Sequence, residues 1–149
     1  MIKINRKLEY GLMALKHMRA KRLGELSTAK EIGEVYQAPF DVVAKVLQQL
    51  AHHGWLKVAY GVKGGYVLQR DLQTVSLLDL TEILLGPVQL VDCLSGETHD
   101  CTLSPSCNVA DPLKKLNSKV KDFYKQITIA ELVGQTQLNA DNSPPSFVV

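Results

Sequence analysis

Apolar residues recur at helical spacing near the start of the chain, at Leu8, Leu12, Met13, Leu15 and Met18. Polar residues fill the positions between them, and Gly24 follows as a stop signal. The pattern predicts a first helix over residues 8–22.

A second periodic segment begins at Thr28, which precedes Glu31 by the three residues of a capping box. The turn Gln37-Ala38-Pro39 separates this short helix from a longer one, in which Pro39 suits the first position. The longer helix is expected to end near His53, before Gly54. Two short helices joined by a tight turn predict a helix-turn-helix unit.

The longer helix sorts its side chains onto two faces. One face is apolar and consists of Val42, Val43, Val46, Leu47 and Leu50. The opposite face is polar and consists of Asp41, Lys45, Gln48 and His52. Any amphipathic surface helix has such a polar face, but recognition helices present their first turns to base edges. Asp41, Ala44 and Lys45 are therefore the leading candidates for base contact, followed by Gln48.

A short hairpin is predicted after this helix. Leu56, Val58 and Tyr60 alternate with other residues as a strand, the glycine-rich turn 61–65 follows, and a second strand begins at Tyr66. The glycines let the backbone approach a phosphate wall closely, and Lys63 offers a positive charge there. The hairpin has the position of a wing.

Charge divides the chain into two halves. Residues 1–70 hold 12 Lys/Arg and 5 Asp/Glu, a balance of +7, whereas residues 71–149 hold 5 and 10, a balance of −5. The first half has the charge of a polyanion binder, unless the asymmetry is a chance feature of a solvated surface. No long apolar run follows the basic start, so the sequence predicts a globular cytoplasmic protein with no secretory signal and no membrane span.

All three cysteines lie within one 15-residue window, at Cys93, Cys101 and Cys107. Clustered thiols in a polar segment are atypical of core packing. In a reducing compartment they favour a soft metal or a metal-sulfur cluster over structural disulfides.

A helix is predicted after the cysteines, with an apolar stripe formed by Leu113, Leu116, Val120 and Phe123. This stripe could pair with the same stripe of a second chain, or pack back onto its own domain. Thr128 and Glu131 have the spacing of a cap for one last short helix. The tail, residues 134–149, is expected to be disordered.

Several of these segments, in this order, resemble the Rrf-type winged-helix regulators, a family that includes IscR-like iron-sulfur sensors, NsrR-like nitric-oxide sensors and regulators of SUF cluster-assembly operons. The resemblance covers residues 1 to about 133. It rests on the opening Leu8–Gly11, the run Val43–Ala51, the wing Lys63–Tyr66, the Gly86-Pro87 pair before the cysteines, the cysteine loop and the closing Ile127–Leu132.

The resemblance implies a mostly α fold with a small β-wing. Residues 1–70 would form a winged helix-turn-helix DNA-binding domain, and residues 71–133 a cysteine-loop sensor with a long dimerisation helix. It also implies a homodimer that binds a palindromic double-stranded DNA operator, with the recognition helices spaced by about one DNA turn, ~34 Å. The implied function is transcriptional regulation in response to iron-sulfur status, nitric oxide or redox state, including control of cluster-assembly genes.

The cofactor implied is an iron-sulfur cluster, 2Fe-2S or 4Fe-4S, held by the three cysteines and a fourth ligand. IscR-like members place a histidine three residues after the last cysteine, where this chain has Ala110. NsrR-like members use an acidic residue of the partner subunit's first helix, and Glu9 stands at the matching position. A solvated surface role for Glu9 is the alternative.

Three other interpretations of the cysteine segment remain open. His99 could replace Glu9 as the fourth ligand. Cys93, His99, Cys101 and Cys107 would also suit a structural zinc ion, although the gaps of seven and five residues differ from paired C-x2-C knuckles. A thiol-disulfide switch without metal needs only two of the cysteines. The first gap also exceeds the five residues common in the family.

The DNA contacts expected from these arguments are Thr28, Pro39, Asp41, Ala44, Lys45, Gln48, Tyr60 and Lys63. Tyr60 stands where IscR-like wings carry an arginine, so operator preference is expected to differ. An enzyme is not expected, because no nucleophile-base set is evident and the turn 61–65 lacks a phosphate-binding GK[ST] ending. A winged protein-interaction module is the non-enzymatic alternative.

Overall fold

Helices dominate the part of the chain that the computed structural model describes, which is residues 3–94, 101–103 and 106–134. The helices are α1 (Arg6–Ala20), α2 (Ala29–Tyr36), α3 (Phe40–His52), α4 (Leu77–Leu85), α5 (Ala110–Gln126) and α6 (Ile129–Val133). The strands are β1 (Leu56–Ala59) and β2 (Gly65–Leu68), and a 3-10 turn covers Asp92–Leu94. The expected mostly α fold with a small β-wing is confirmed.

The first helix begins two residues before its predicted start. The side chain of Asn5 accepts a hydrogen bond from the backbone N–H of Lys7 at 2.9 Å, and this cap starts the helix at Arg6. Lys21 adopts an extended conformation and ends it. Buried residues recur along the helix at spacings of three and four, at Leu8, Gly11, Ala14, Leu15 and Met18. This stripe is the side on which the rest of the domain packs.

The predicted helix-turn-helix is present as α2 and α3. Oγ1 of Thr28 accepts the backbone N–H of Glu31 at 3.1 Å and caps α2. Gln37 takes the left-handed conformation, with φ of 52°, and turns the chain between the helices. Pro39 is the N-cap of α3 rather than its first residue, and the helix ends at His52. These differences amount to one residue at each end.

The apolar face of α3 forms the centre of the core. Val43, Val46, Leu47 and Leu50 are fully buried, and α3 packs on α1, α2, α4 and β1. Each such side chain contributes roughly 1.5–3 kcal/mol on burial. The helix is therefore held firmly by one face, and its orientation fixes where the other face points.

The wing is a two-stranded antiparallel sheet whose register pairs Leu56 with Leu68 and Ala59 with Gly65. Ser27 extends it by one residue, since its N–H and C=O both bond to Tyr66, at 2.9 and 2.8 Å. The prediction that Tyr60 belongs to the first strand is wrong, because β1 ends at Ala59. Tyr60 instead begins the turn and is 92% exposed.

Two wing glycines are required by the wing itself. A Cβ at Gly64 would lie 2.7 Å from the carbonyl oxygen of Ala59, and one at Gly65 would lie 2.8 Å from that of Ser27. Both contacts are with backbone and cannot be relieved by a rotamer change. The backbone of the hairpin therefore requires glycine at both positions, whether or not the wing contacts DNA.

Helix α4 is not among the predicted elements. Ser76 and Asp79 form a reciprocal capping box at its start, in which Oγ of Ser76 accepts the N–H of Asp79 and the Asp79 carboxylate accepts the N–H of Ser76. Leu77, Leu80 and Leu84 are buried. Gly11 of α1 lies directly against Leu84, so the two helices approach closely.

The end of the described chain returns to the first domain. The backbone N–H groups of Leu77, Ile129 and Ala130 bond to the carbonyls of Ile127, Val75 and Leu72, at 2.8, 3.0 and 2.9 Å. Oγ1 of Thr128 accepts the N–H of Glu131 at 3.2 Å, which confirms the predicted cap of α6.

One core contains buried residues from both sides of residue 70, so the division there remains a functional prediction. Of the tail predicted to be disordered, residues 135–149 lie outside the described residues. Within the described ranges, no helix is long and apolar enough to cross a membrane.

Candidate functional site

The polar face of α3 is presented to solvent. Asp41, Lys45 and Gln48 are exposed, and Ala44 is half-buried beside them. Since the opposite face is buried in the core, these side chains project outward together over the first two and a half turns. The structure thus brings the four leading contact candidates onto one surface.

Thr28 and Pro39 mark the starts of the two helices of this unit. The hydroxyl oxygen of Thr28 accepts the N–H of Glu31, which leaves its O–H proton available to donate to an external acceptor. Pro39 is exposed at the start of α3 and offers only contact surface, because it has no N–H. Thr28 can therefore serve as a cap and a phosphate donor at once.

A polar network that the sequence arguments missed holds α2 against α1. Oε1 of Glu31 lies 2.8 Å from Nε2 of His17 and 2.5 Å from Nζ of Lys21. Nδ1 of His17 lies 3.1 Å from the hydroxyl of Tyr36, at the other end of α2. The sequence signal is the basic end of α1 facing the acidic first turn of α2.

Burial, hydrogen bonds and charges in this network shift two pKa values. Burial alone raises the pKa of Glu31, but hydrogen bonds and charges from Lys21 and His17 outweigh it, so the pKa lies below its ordinary value. Burial, together with the Glu31 carboxylate, raises the pKa of Tyr36. Glu31 is therefore charged at neutral pH and ties both helices together.

The wing turn carries three exposed side chains, Tyr60, Val62 and Lys63. Gly61 adopts a φ of 119°, and the N–H of Gly64 bonds to its carbonyl at 3.0 Å, which closes the turn. Lys63 lies at the tip, as expected from the sequence. The bulky neighbours on both sides of Gly61 give this tip a mixed apolar and cationic surface.

Cys93, Cys101 and Cys107 are all exposed and all free thiols. Cys93 lies in the 3-10 turn after α4, and Cys107 lies just before α5. Within the described residues, no three His, Cys, Asp or Glu side chains are grouped closely enough to hold a metal ion. His99 lies outside the described residues. The donor chemistry suits a soft metal or cluster, but the described geometry does not assemble the donors.

The segment before Cys93 is fastened to the helix after Cys107. Oδ1 of Asn117 accepts the backbone N–H of Leu90 at 2.9 Å. Asn117 is buried, unlike its neighbours along α5. This bond joins the two stems of the cysteine loop, and the sequence offered only an asparagine within an otherwise amphipathic helix.

Glu9 lies in the first turn of α1. Its carboxylate bonds to the guanidinium of Arg6 at 2.7 Å, and its side chain is 35% exposed. The surface ion pair fits the solvated role, and the side chain remains partly exposed.

The apolar stripe of α5 is only partly covered. Leu116 is 48% exposed and Phe123 is 60% exposed, while Leu113 and Val120 are partly buried. The alternative in which the whole stripe packs back onto its own domain does not hold for Leu116 and Phe123. Two large apolar side chains thus face solvent on one helix.

A helix-turn-helix with an outward polar α3 face, followed by a hairpin wing, defines the winged helix-turn-helix class of DNA-binding regulators. The sequence matches a family described as Rrf2, iron-dependent transcriptional regulator, over residues 4–135. The chain belongs to this family and is a transcriptional regulator rather than an enzyme.

Two relatives carry the same name, HTH-type transcriptional regulator NsrR. The chain is 26% identical to the one from Bacillus licheniformis over 132 residues, covering 89% of this chain and 92% of the relative. It is 24% identical to the one from Shouchella clausii over 134 residues, covering 90% and 87%. The chain therefore aligns with nearly the full length of both regulators.

A solved structure supports the fold. CymR of B. subtilis, described as the global cysteine regulator, superposes with a TM-score of 0.66 at 22% identity, over 89% of this chain and 97% of CymR. At this identity the likeness concerns the fold alone.

Proposed function

We propose that this protein is a homodimeric regulator that reads a palindromic DNA operator with α3 and adjusts its DNA affinity through a cluster held by its three cysteines. The proposal of DNA binding rests on the burial of one face of α3 and the exposure of the opposite face. Val43, Val46 and Leu47 anchor one face in the core, while Lys45 and Gln48 project from the other. A helix held in this way can enter a major groove without distortion of the domain.

The roles of the contact residues follow from their chemistry. Lys45 suits the O6 and N7 acceptors of guanine, Gln48 suits adenine, and Asp41 accepts from the amino group of cytosine. The half-buried Ala44 offers its methyl group to a thymine methyl. Base discrimination would therefore reside in the outward face of α3.

Other candidates contact the backbone of the DNA. Thr28 has a free O–H proton, Pro39 supplies surface at the start of α3, and Lys63 places a charge at the wing tip. Tyr60, next to Gly61, would contact the sugar-phosphate wall instead of the arginine of IscR-like wings. These contacts would position α3 without specifying sequence.

The exposed stripe of α5 supports dimerisation. Leu116 and Phe123 of one chain would pack against the same residues of a second chain, since a two-fold interface uses the same patch twice. Such a dimer would place two α3 helices about one DNA turn apart, ~34 Å, and would require a palindromic operator.

A cluster bound by Cys93, Cys101 and Cys107 is supported by three exposed free thiols and by the family of iron-dependent regulators. Glu9 of the partner subunit is the proposed fourth ligand, with His99 as the alternative. When bound, an iron-sulfur cluster would supply a redox-active centre. Residues 71–133 would then act as the sensor for residues 1–70.

Contacts within the chain connect the cysteine loop to α3. The Asn117–Leu90 bond holds the loop stems together, α5 packs on α4, and α4 packs on α1 and α3. A change in loop order would thus reach the elements that position α3. Regulation requires a coupling of only about 1–3 kcal/mol, or 5- to 150-fold in DNA affinity.

The zinc alternative is favoured by the same thiols and calls for the same measurement. Protein purified without oxygen would be analysed for iron, acid-labile sulfide and zinc, and its absorption spectrum recorded. Iron with sulfide and a visible cluster spectrum supports the proposal. One zinc per chain without iron would establish a structural site instead, and neither metal would leave a thiol-disulfide switch.

A further inference from the structure

A cleft of about 570 Å³ lies beside α3, where that helix passes the start of α1. It is lined by Lys7, Lys45, Gln48, Gln49, His52 and His53. Two of these residues belong to the proposed reading face, and Lys7 comes from a different helix. None of the six is acidic, so the lining favours a negatively charged ligand.

The donors of this cleft are held in place. Nζ of Lys7 donates one hydrogen bond to the carbonyl of Leu84 at 2.8 Å, which leaves two of its three N–H donors for a ligand. Nδ1 of His53 lies 2.8 Å from the carbonyl oxygen of Gln49. Because a carbonyl only accepts, Nδ1 donates its proton to Gln49, so this bond fixes the His53 ring but leaves no Nδ1 donor for a ligand.

Gln49 does not oppose an anion in this cleft. Its Nε2 donates to the carbonyl of Ile83 at 3.4 Å. Its Oε1 is buried and has no hydrogen-bond partner among the described residues. An exposed carbonyl oxygen would repel a phosphate, but this one is withdrawn from the cleft surface.

A second cleft of about 560 Å³ on the other side of His53 provides a contrast. Its lining includes the carboxylates of Asp79 and Glu82 and the guanidinium of Arg70. The carboxylates outnumber the single cation, whereas the first cleft has two lysines and no carboxylate, so the two clefts differ in charge although they are similar in size. Anion binding is expected only on the side of Lys7.

We propose that the cleft between α1 and α3 binds a phosphodiester group of the DNA backbone, next to the bases that α3 reads. The proposal rests on the proposed function, because it requires α3 to lie in the major groove. Lys7 would supply charge to the phosphate, His52 would supply a ring donor, and Lys45 would be shared between phosphate and base. Such a contact fixes the register of the protein on the duplex and carries no sequence information.

The test uses a duplex that the wild-type protein has enriched from a random pool. Its Kd would be measured against salt concentration for the wild type and Lys7→Gln. Loss of one phosphate contact should make the slope of log Kobs against log salt shallower by about 0.9, or twice that if two chains bind. Affinity near physiological salt should fall by about fivefold per contact.

Three further variants complete the design. Lys7→Arg keeps the charge and should restore the slope. Lys125→Gln removes one charge from an exposed position of α5, on the face opposite Leu116 and Phe123, and should leave the slope unchanged. His52→Gln, at an exposed position, should weaken binding without altering the fold. The weakening in Lys7→Gln should be equal for the enriched duplex and for its single-base variants.

The wild type could show salt-dependent binding while Lys7→Gln leaves the slope unchanged and His52→Gln leaves the affinity unchanged. That result would overturn the phosphate-binding role of the cleft but not the proposed function. A wild-type protein that enriches no duplex would overturn the proposed function together with the cleft. A loss that depends on base sequence would make Lys7 a base-reading residue and contradict the phosphate assignment.

Discussion

The side chain of Asn117 bonds to the backbone N–H of Leu90 at 2.9 Å, and this bond joins the two stems of the cysteine loop. Asn117 is the buried residue of α5, while Leu90 precedes Cys93 by three positions. Substitution Asn117→Ala would leave a backbone donor unpaired, at a cost of about 1–3 kcal/mol.

We therefore expect Asn117→Ala to lower the free energy of unfolding by that amount and to shorten the lifetime of the proposed cluster. Urea unfolding and the decay of the visible absorbance in air would measure the two effects. Ser118→Ala, at the exposed neighbouring position, is the matched control. A cluster lifetime equal to that of the wild type would show that the bond does not support the loop.

Lys45 is the strongest candidate for a base contact on α3. Lys45→Ala should weaken binding to the enriched duplex by about 5- to 150-fold, the equivalent of ~1–3 kcal/mol, and should relax the preference at one base position. Lys125→Ala removes the same charge at an exposed position of α5, on the face opposite Leu116 and Phe123, and serves as the control. Unchanged affinity and specificity would remove Lys45 from the reading face.

Glu9 can be tested against its own ion-pair partner. Glu9→Ala should alter the absorption spectrum of the proposed cluster or accelerate its loss, because the substitution removes the proposed carboxylate ligand. Arg6→Ala breaks the same ion pair but keeps the carboxylate, so it should leave the spectrum unchanged. If both variants match the wild type, the fourth ligand is His99 or solvent.

Glu31 pairs with His17 and Lys21 and holds α2 against α1, so protonation of Glu31 should lower the stability of the protein in acid. Its pKa in the folded protein lies below the ordinary value of 4.5, so its contribution to stability is present above the unfolded pKa and is lost as pH falls through the folded pKa. The free energy of unfolding should therefore fall less steeply below pH 4.5 in Glu31→Gln than in the wild type. About a third of the side chain is exposed, so a loss of roughly 1 kcal/mol or less is expected at neutral pH.

Glu34→Gln is the control for this experiment, since Glu34 lies on the same helix with 69% of its side chain exposed and a longer 4.0 Å pair with Lys30. Its pH profile should match the wild type. Identical profiles for Glu31→Gln and the wild type would show that the network does not contribute to acid stability.

The periodicity of apolar and polar residues was sufficient to predict α1, α2, α3, α5 and the wing. In α3, for example, the apolar and polar residues separate onto opposite faces, and local capping signals such as Thr28 mark the boundaries. The ends shifted by one or two residues because a cap at Asn5 or Pro39 depends on backbone conformation. Tyr60 was misassigned because alternation continued past the point where pairing ends.

The missed features depend on contacts between distant residues. Helix α4 lies in a strongly apolar segment in which only the two ends carry clear signals, the Ser76 capping box and the Gly86 C-cap. Lys7 and His52 are 45 positions apart and share a cleft only after α1 packs on α3. The burial of Asn117 likewise depends on the path of the chain before Cys93. The positions of these residues in the sequence do not reveal how close they lie in the folded chain.

The proposed regulation requires the DNA affinity to depend on the cysteine site. The triple variant Cys93→Ser, Cys101→Ser, Cys107→Ser should fold and dimerise, because all three thiols are exposed, but should lose bound iron. Circular dichroism and size-exclusion chromatography would verify the fold and the oligomeric state. Iron retained in stoichiometric amount would contradict ligation by these residues.

The most direct test is the Kd for the enriched duplex, measured by fluorescence anisotropy without oxygen before and after removal of metal by a chelator. We predict that the two wild-type values differ by 5- to 150-fold, a coupling of about 1–3 kcal/mol, and that the triple serine variant shows one affinity under both conditions. Equal wild-type affinities before and after metal removal would contradict the account.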